Sequence, residues 1–272
     1  MISYRRGFTL IELLVVISII SLLSSIVLAS LSNARELAKK SAALQFATQN
    51  HRALGGSAYV DMYFNEGSGI SVSDGISNAV AYGNPAWTTT TYNDQGGAMV
   101  FDGTNDYIQG NIDGKVFDGD FTITAWFRRD APGTWSGIFS NSVGVNDTAI
   151  MTMRNNTNQI GMMRAGVAET GVYVDLGPDH YGKWVYAVVT RKGSTLSVYA
   201  YIDGKLLRNS GSLSWTLQKT NSYYVGRHYQ PTPFYFNGII DEIHVYGESL
   251  SFAQIEDKYL ASKDIYIAKH VQ

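Results

Sequence analysis

Phe121-Thr122-Ile123-Thr124-Ala125-Trp126-Phe127 alternates apolar and polar side chains, the period of a half-buried β-strand. Outward from it the same pattern recurs at Trp184 to Thr190, Leu196 to Ile202 and Ile239 to Tyr246, all rich in the aromatic and β-branched residues that strands favour. Asp203-Gly204, between Ile202 and Lys205, is a tight hairpin signal. Gly, Asn, Asp and Ser punctuate the chain at short intervals throughout this region, and many short strands with regular turn signals predict a two-sheet sandwich or jelly roll. About two hundred residues suffice for one such domain, burying roughly 70% of its unfolded surface. Neither an internal repeat nor a low-complexity linker interrupts residues 57–260, and 261–272 reads as a short tail.

Upstream of Gly55-Gly56 the composition is different. Gly7-Phe8-Thr9-Leu10-Ile11-Glu12 opens an almost unbroken apolar run to Leu31 that contains one carboxylate. An ionised acid in the middle of a membrane helix costs about 2.5–3.5 kcal/mol, so an acid kept there needs a purpose. Arg5 and Arg6 precede the run and place the leader on the cytoplasmic side, with everything after about Ser32 outside. Three readings compete. A secretory signal would use the small residues from Ala29 to Ala34 for cleavage, but the run exceeds an h-region of ~7–15 residues and holds Glu12 inside it. A plain single-span anchor fits the length and leaves Glu12 unexplained. The third gives Glu12 a function of its own. Helical periodicity continues through Leu31, Ala34, Ala38, Ala42, Phe46 and Ala53, so residues 8–54 are expected to form about 70 Å of helix at 1.5 Å per residue, stopped by Gly55-Gly56. The expected fold class is therefore α+β: a long N-terminal membrane-spanning helix followed by an all-β jelly roll.

Composition excludes several functions. With a net charge of −2 and a pI near 6.2, the chain has no general basic surface for nucleic acid or anionic lipid. Lys258, Lys263, Lys269 and His270 form only a thin basic tail, read as a solvated face. The absence of cysteine rules out thiol catalysis, thiolate metal sites and disulfides. Motifs for hydrolase elbows, zincins, phosphate loops and dinucleotide sites are missing. Closely spaced acids of the E-x-D-x-x-E kind are missing too. The nearest set is Asp241-Glu242 with Glu248, and strand alternation is expected to put Asp241 on the opposite face from Glu242. His244 reads as a packed or rim residue. No enzyme is expected.

Two resemblances sharpen these readings. GFTLIELLVV, from Gly7 to Val16, resembles the type IV prepilin family, which implies cleavage after Gly7 by a prepilin peptidase, methylation of the Phe8 amine, and pairing of Glu12 with the N-terminal ammonium of a neighbouring subunit. A buried carboxylate is tolerable when paired, so Glu12 would bias the chain toward a homo-oligomeric or mixed pilin filament. The helix-bending proline of many pilins is missing, since no proline occurs before Pro85. Five segments resemble the laminin-G-like, concanavalin A-like jelly-roll family in order: Tyr63 to Gly69 with Asp74; Val100 to Ile108; Phe121 to Trp126; Trp184 to Val189 leading through Tyr201 to Lys205; and Phe236 to Tyr246, followed by Leu250-Ser251 and Ile255. Together they imply a subunit held in the cytoplasmic membrane as precursor and then displayed on a cell-surface filament, structural and adhesive, with a glycan or surface protein as ligand. The alternatives are a pseudopilin or minor pilin of a secretion or DNA-uptake machine, and a membrane-tethered glycosidase.

The same resemblance directs attention to Asp102-Gly103-Thr104-Asn105-Asp106. Relatives of this fold often hold calcium near a sandwich edge, and Asp102, Asn105 and Asp106 offer hard oxygen ligands, with Asp241 as a possible partner; the competing reading is a plain turn. Asp113, Asp118 and Asp120 read as turn residues. Candidate ligand-facing aromatics are Trp135 and the proline-broken run from Tyr229 to Tyr235, although aromatics in such a domain are more often core.

Overall fold

The computed structural model describes residues 10–21, 23–24, 58–133, 135–141, 148–164, 171–213, 216–217, 220–228 and 234–270. The chain divides into two units, Met1–Gly55 and Gly56–Gln272. In the first, residues 10–21 form helix α1, and residues 23 and 24 are helical as well. Its large apolar side chains all lie outward, from 46% exposed at Val16 to 83% at Leu10. The Ser18 and Ser21 hydroxyls donate back to the carbonyls of Leu14 and Ile17 at 2.7 and 2.8 Å, so neither needs water. Among the described residues no helix is long and apolar enough to cross a membrane. The remainder of the expected helix, and Gly7 and Phe8, lie outside the described residues.

The second unit contains β1 (Val60–Met62), β2 (Ser71–Ser73), β3 (Asn78–Tyr82), β4 (Ala86–Thr88), β5 (Ala98–Asp102), β6 (Tyr107–Asn111), β7 (Phe121–Arg129), β8 (Ser136–Ser140) and β9 (Thr148–Met153). There follow β10 (Gln159–Arg164), β11 (Gly171–Asp175), β12 (Trp184–Lys192), β13 (Thr195–Ile202), β14 (Lys205–Ser212), β15 (Ser222–Val225), β16 (Arg227–His228), β17 (Phe234–Tyr235), β18 (Asn237–Tyr246) and helix α2 (Phe252–His270). One eight-stranded sheet runs β14-β13-β12-β7-β18-β5-β4 with β1 beside β18; a second runs β11-β10-β9-β8-β15-β6-β3-β2; β16 and β17 pair separately. The expected strands and the hairpin are present. Asp203 and Gly204 take φ of 50° and 79°, the two positive values that a type I′ turn requires.

Alternation places Phe121, Ile123, Ala125 and Phe127 of β7, with Val185, Ala187 and Val189 of β12, against Ile108, Phe139, Met151 and Val225 of the second sheet. This is the sandwich core. The opposite face of β7 is buried as well: Thr122 and Thr124 are fully buried and Trp126 is 6% exposed. A second apolar cluster covers it, joining Trp126, Tyr186, Tyr201 and Tyr246 to Leu250, Ile255 and Tyr259. Ile255 and Tyr259 are four apart, on one face of α2.

Residues 261–272 were read as a tail, but α2 runs through to His270. It opens on a capping box: Ser251 Oγ accepts from Gln254 N at 3.3 Å, and Gln254 Oε1 accepts from Ser251 N at 2.8 Å. Thr122 fastens the approach by donating to the Glu248 carbonyl at 2.8 Å and accepting from Leu250 N at 2.9 Å. Lys258 does not lie on a solvated face. It is half-buried, donates to Tyr246 Oη at 2.9 Å and sits 4.7 Å from that ring's centroid, and burial lowers its pKa.

Candidate functional site

The site forms on the outer face of the first sheet, where β18 changes neighbours. Along one flank β18 pairs with β7. Along the other, residues 237–240 pair with β5 and 243–245 pair with β1. The ladder with β7 slips between Asp241 and Ile243, and Glu242 takes a φ of 41°. An extra residue in one strand is a β-bulge. Because Ile240 and Ile243 both enter the sandwich core, Asp241 and Glu242 are both left on the outer face. This corrects the expected alternation that set them on opposite faces. The slip is written in the sequence as a three-residue step between core isoleucines where a regular strand has two.

The two acids face Tyr92, in the loop between β4 and β5, and Asp241 Oδ1 accepts from Glu242 N at 2.9 Å. Burial first, and then the neighbouring Glu242 charge, raises the Asp241 carboxyl far above the usual carboxylate range. Burial likewise raises Glu242, opposed by the neighbouring His244 and Tyr92. Beside them His244 Nδ1 and Asp61 Oδ1 are 2.5 Å apart across the β1–β18 ladder, and Tyr63 packs edge-on to His244 at 5.2 Å.

The Tyr92 ring stacks on Trp126 with centroids 4.3 Å apart and planes at 4°, and meets Trp184 edge-on at 6.4 Å. Tyr259 of α2 stacks on Tyr201 at 4.1 Å. These five rings and the Asp203-Gly204 turn enclose a cleft of about 120 Å³. Lys183 Nζ lies 2.8 Å from Asp203 Oδ2, so an ion pair stands at the Asp203 end. Two polar atoms of the lining side chains, Trp126 Nε1 and Tyr201 Oη, are buried and have no hydrogen-bond partner among the described residues. The sequence reading passed over all of these rings. Each comes from a different strand, loop or helix, and on a strand an aromatic looks the same whether it faces core or cleft.

The residues selected from sequence are dispersed. Asp102 Oδ1 accepts from Thr104 N at 2.7 Å and from Asn105 N at 3.3 Å, while Asp106 Oδ2 accepts from Asp102 N at 3.0 Å. These three form a self-bonded turn, and Gly103 supplies its positive φ of 77°. Burial raises the Asp106 pKa. Asp241 is not beside them: Asp102 pairs with Asn237, four residues or roughly 13 Å of strand away. Among the described residues, no group of three or more acidic, histidine or cysteine side chains is placed to hold a metal. Trp135 packs on Met163. Tyr229 lies outside the described residues. Tyr235 belongs to an aromatic patch on the other sheet, 6.4 Å from Tyr107, which stacks on Tyr82 at 4.9 Å and lies under the Arg227 guanidinium at 4.6 Å. Glu12 sits on the exposed surface of α1.

Residues 2–28 match the prokaryotic N-terminal methylation motif, and residues 101–256, more than half of the chain, match the concanavalin A-like lectin/glucanases superfamily. No match is found among curated proteins. Among solved structures, the binding domain of botulinum neurotoxin DC in complex with SialylT is 11% identical with a TM-score of 0.55, covering 77% of this chain and 52% of that one. The same domain in complex with rat synaptotagmin II is 10% identical with a TM-score of 0.56, at the same two coverages. The serotype C1 binding domain is 12% identical with a TM-score of 0.54, again covering 77% and 52%. This chain thus spans about half the length of these domains, and at such identity the likeness is one of fold. The chain belongs to the concanavalin A-like lectin/glucanases superfamily, with a type IV pilin-like methylation motif at its N-terminus.

Proposed function

We propose that this chain is a structural and adhesive subunit of a type IV pilin-like filament, made as a membrane-held precursor, cut after Gly7 and methylated on Phe8, with a lectin-like head that binds a glycan or a surface protein. The observation that carries this reading is the union in one chain of the methylation motif, a helix whose apolar side chains all lie outward around Glu12, and a lectin-like jelly roll. Such a helix stabilises nothing by itself and must cover its surface with lipid or with neighbouring subunits. For ligand class, one matched structure concerns the dependence of botulinum neurotoxin type C cell entry on interaction with two ganglioside molecules, and another is a complex with rat synaptotagmin II. These examples support either a glycan or a protein as the partner here.

The buried acid pair supports a binding head over a glycosidase. Glycosidase carboxyls flank an open scissile bond, whereas Asp241 is 2% exposed and its Oδ1 accepts from Glu242 N at 2.9 Å. Electron microscopy of cells producing the full chain, labelled with an antibody against the head, tests the proposal. Label along surface filaments that vanish on deletion of the chain is the expected result; label confined to the envelope would contradict it.

A further inference from the structure

We infer that Arg129, at one end of the sandwich, is the receptor for a single carboxylate group, which reaches it through the gap beside Gly133. The site shares no residue with the aromatic cleft, and it stands or falls independently of the filament reading.

Arg129 is the last residue of β7. Ile123, Ala125 and Phe127 of that strand face the core, alternation carries residue 129 to the same side, and it is 2% exposed. Burial lowers its pKa, but from so high a value that the guanidinium stays charged. A buried cation is costly unless an acid pairs with it. Among the described residues Arg129 forms no ion pair, and its one side-chain hydrogen bond is a long one, from Nη1 to the Thr157 carbonyl at 3.4 Å. Asp130, next in the chain, is engaged by Arg128 at 2.9 Å. His180 supplies no negative charge. Burial lowers its pKa and the Arg129 charge adds to that, against its hydrogen bond to the Gly177 carbonyl and the Asp175 charge.

Access runs past Gly133, a half-buried residue of the loop after β7 that follows the exposed Pro132. A carbon in the place of its missing side chain would stand 3.2 Å from Arg129 Nη2. Apart from its own neighbours in the chain, it would meet no other described atom within 4 Å. An oxygen in that place lies at hydrogen-bonding distance from Nη2. Three loops hold the surroundings in place. Asn156 N donates to the Gly133 carbonyl at 3.2 Å, Gly182 N donates to the Arg129 carbonyl at 2.9 Å, and Tyr181 Oη donates to Asn158 Oδ1 at 3.0 Å. The guanidinium is therefore preorganised before any ligand arrives. Its planar fork matches a carboxylate, and one uncompensated positive charge calls for a monoanion rather than a phosphate dianion. The opening is the room that one glycine leaves, so the group that enters is small.

The test uses the full chain in detergent, with sodium acetate as the probe and sodium chloride at equal ionic strength as the control. Acetate should move the Arg129 Nε–H signal saturably in NMR spectra, at the millimolar concentrations expected of so small a ligand. It should raise the melting temperature, because it binds the native state alone. It should also raise the His180 pKa, because a bound anion offsets the Arg129 charge acting there. Gly133→Ala sets a methyl group 3.2 Å from Nη2 at a position whose φ is not positive, and should weaken acetate at least about tenfold. Arg129→Met should abolish the response and, without acetate, melt at the wild-type temperature or higher, since an uncompensated buried charge has been removed. The peptide N-acetyl-Gly-Glu-Gly-amide and its Gln counterpart identify the source of the carboxylate. Saturation by the Glu peptide but not the Gln peptide assigns the site to an acidic side chain of a partner protein; saturation by acetate and neither peptide assigns it to a small free carboxylate. An acetate response that survives both Gly133→Ala and Arg129→Met would overturn the proposal. Equal responses to acetate and chloride, or no response at Arg129 to any probe, would overturn it as well.

Discussion

Helix α1 and the jelly-roll unit use the same apolar residues in opposite ways. In the head, Phe127, Phe139 and Phe236 are fully buried, and the stabilisation of about 25 cal/mol per Å² of apolar surface is already realised within the unit. On α1, Leu10, Ile11 and Leu13 lie outward at 83%, 76% and 58% exposure, so the same term is still to be gained from lipid or from another subunit. The difference separates two questions that one chain answers together. The stability of the head is intramolecular, and on the proposed function the role of the helix is intermolecular. Substitutions in the two regions should therefore fail in different assays.

The largest expected effect is on assembly. On the proposed function, Glu12→Leu removes the insertion penalty and the assembly partner together. The variant should enter the membrane at least as well as the wild type and yield about tenfold fewer filaments or none, counted by electron microscopy; normal filament numbers would erase the distinction drawn for α1. Next is a matched pair of truncations. Phe127→Ala should cost about 3–5 kcal/mol and lower the melting temperature of the head by roughly 10 °C, while Leu13→Ala should leave it unchanged.

A smaller effect follows from Asp241 and Glu242. Both pKa values are raised by burial. The stability that the protonated pair contributes is fully present below the ordinary carboxylate range, about pH 4, and is lost as pH rises toward and through the folded-state values. Melting by circular dichroism should accordingly fall from pH 5 to pH 8. Glu242→Gln, which keeps a hydrogen-bonding side chain but does not ionise, should flatten that slope; a wild-type slope in this variant would mean that the pair is not the source. The smallest effect is at the helix that covers the cleft. Ser251→Ala removes the capping box at a cost of about 0.5–2 kcal/mol, a shift of a few degrees, and should loosen α2 without disturbing the sandwich core.

The strands at Phe121, Trp184, Leu196 and Ile239 and the Asp203-Gly204 hairpin were legible because side chains of a strand alternate between two faces with a period of two. The cover was harder to read. α2 begins with a complete capping signal, Ser251 to Gln254, but among the described side chains of its first turns Ile255 and Tyr259 alone are deeply buried, and its charged residues resemble a tail. The bulge at Asp241-Glu242 left a phase slip in the sequence, yet what the slip achieves depends on β5 giving way to β1, a tertiary fact. Asp102 to Asp106 illustrates the reverse case. The same residues serve a turn or a cation, and only the hydrogen bonds display the turn. The cleft was the least legible of all, because its rings come from three strands, a loop and a helix that meet only after folding.

The most direct test of a pilin-like subunit is the N-terminus of the chain in surface filaments, read by mass spectrometry. The account predicts a mature protein that begins at Phe8 with a single methyl group on its amine. A chain that retains Met1, or one that begins between Ala29 and Ala34 as an ordinary secreted protein would, contradicts it.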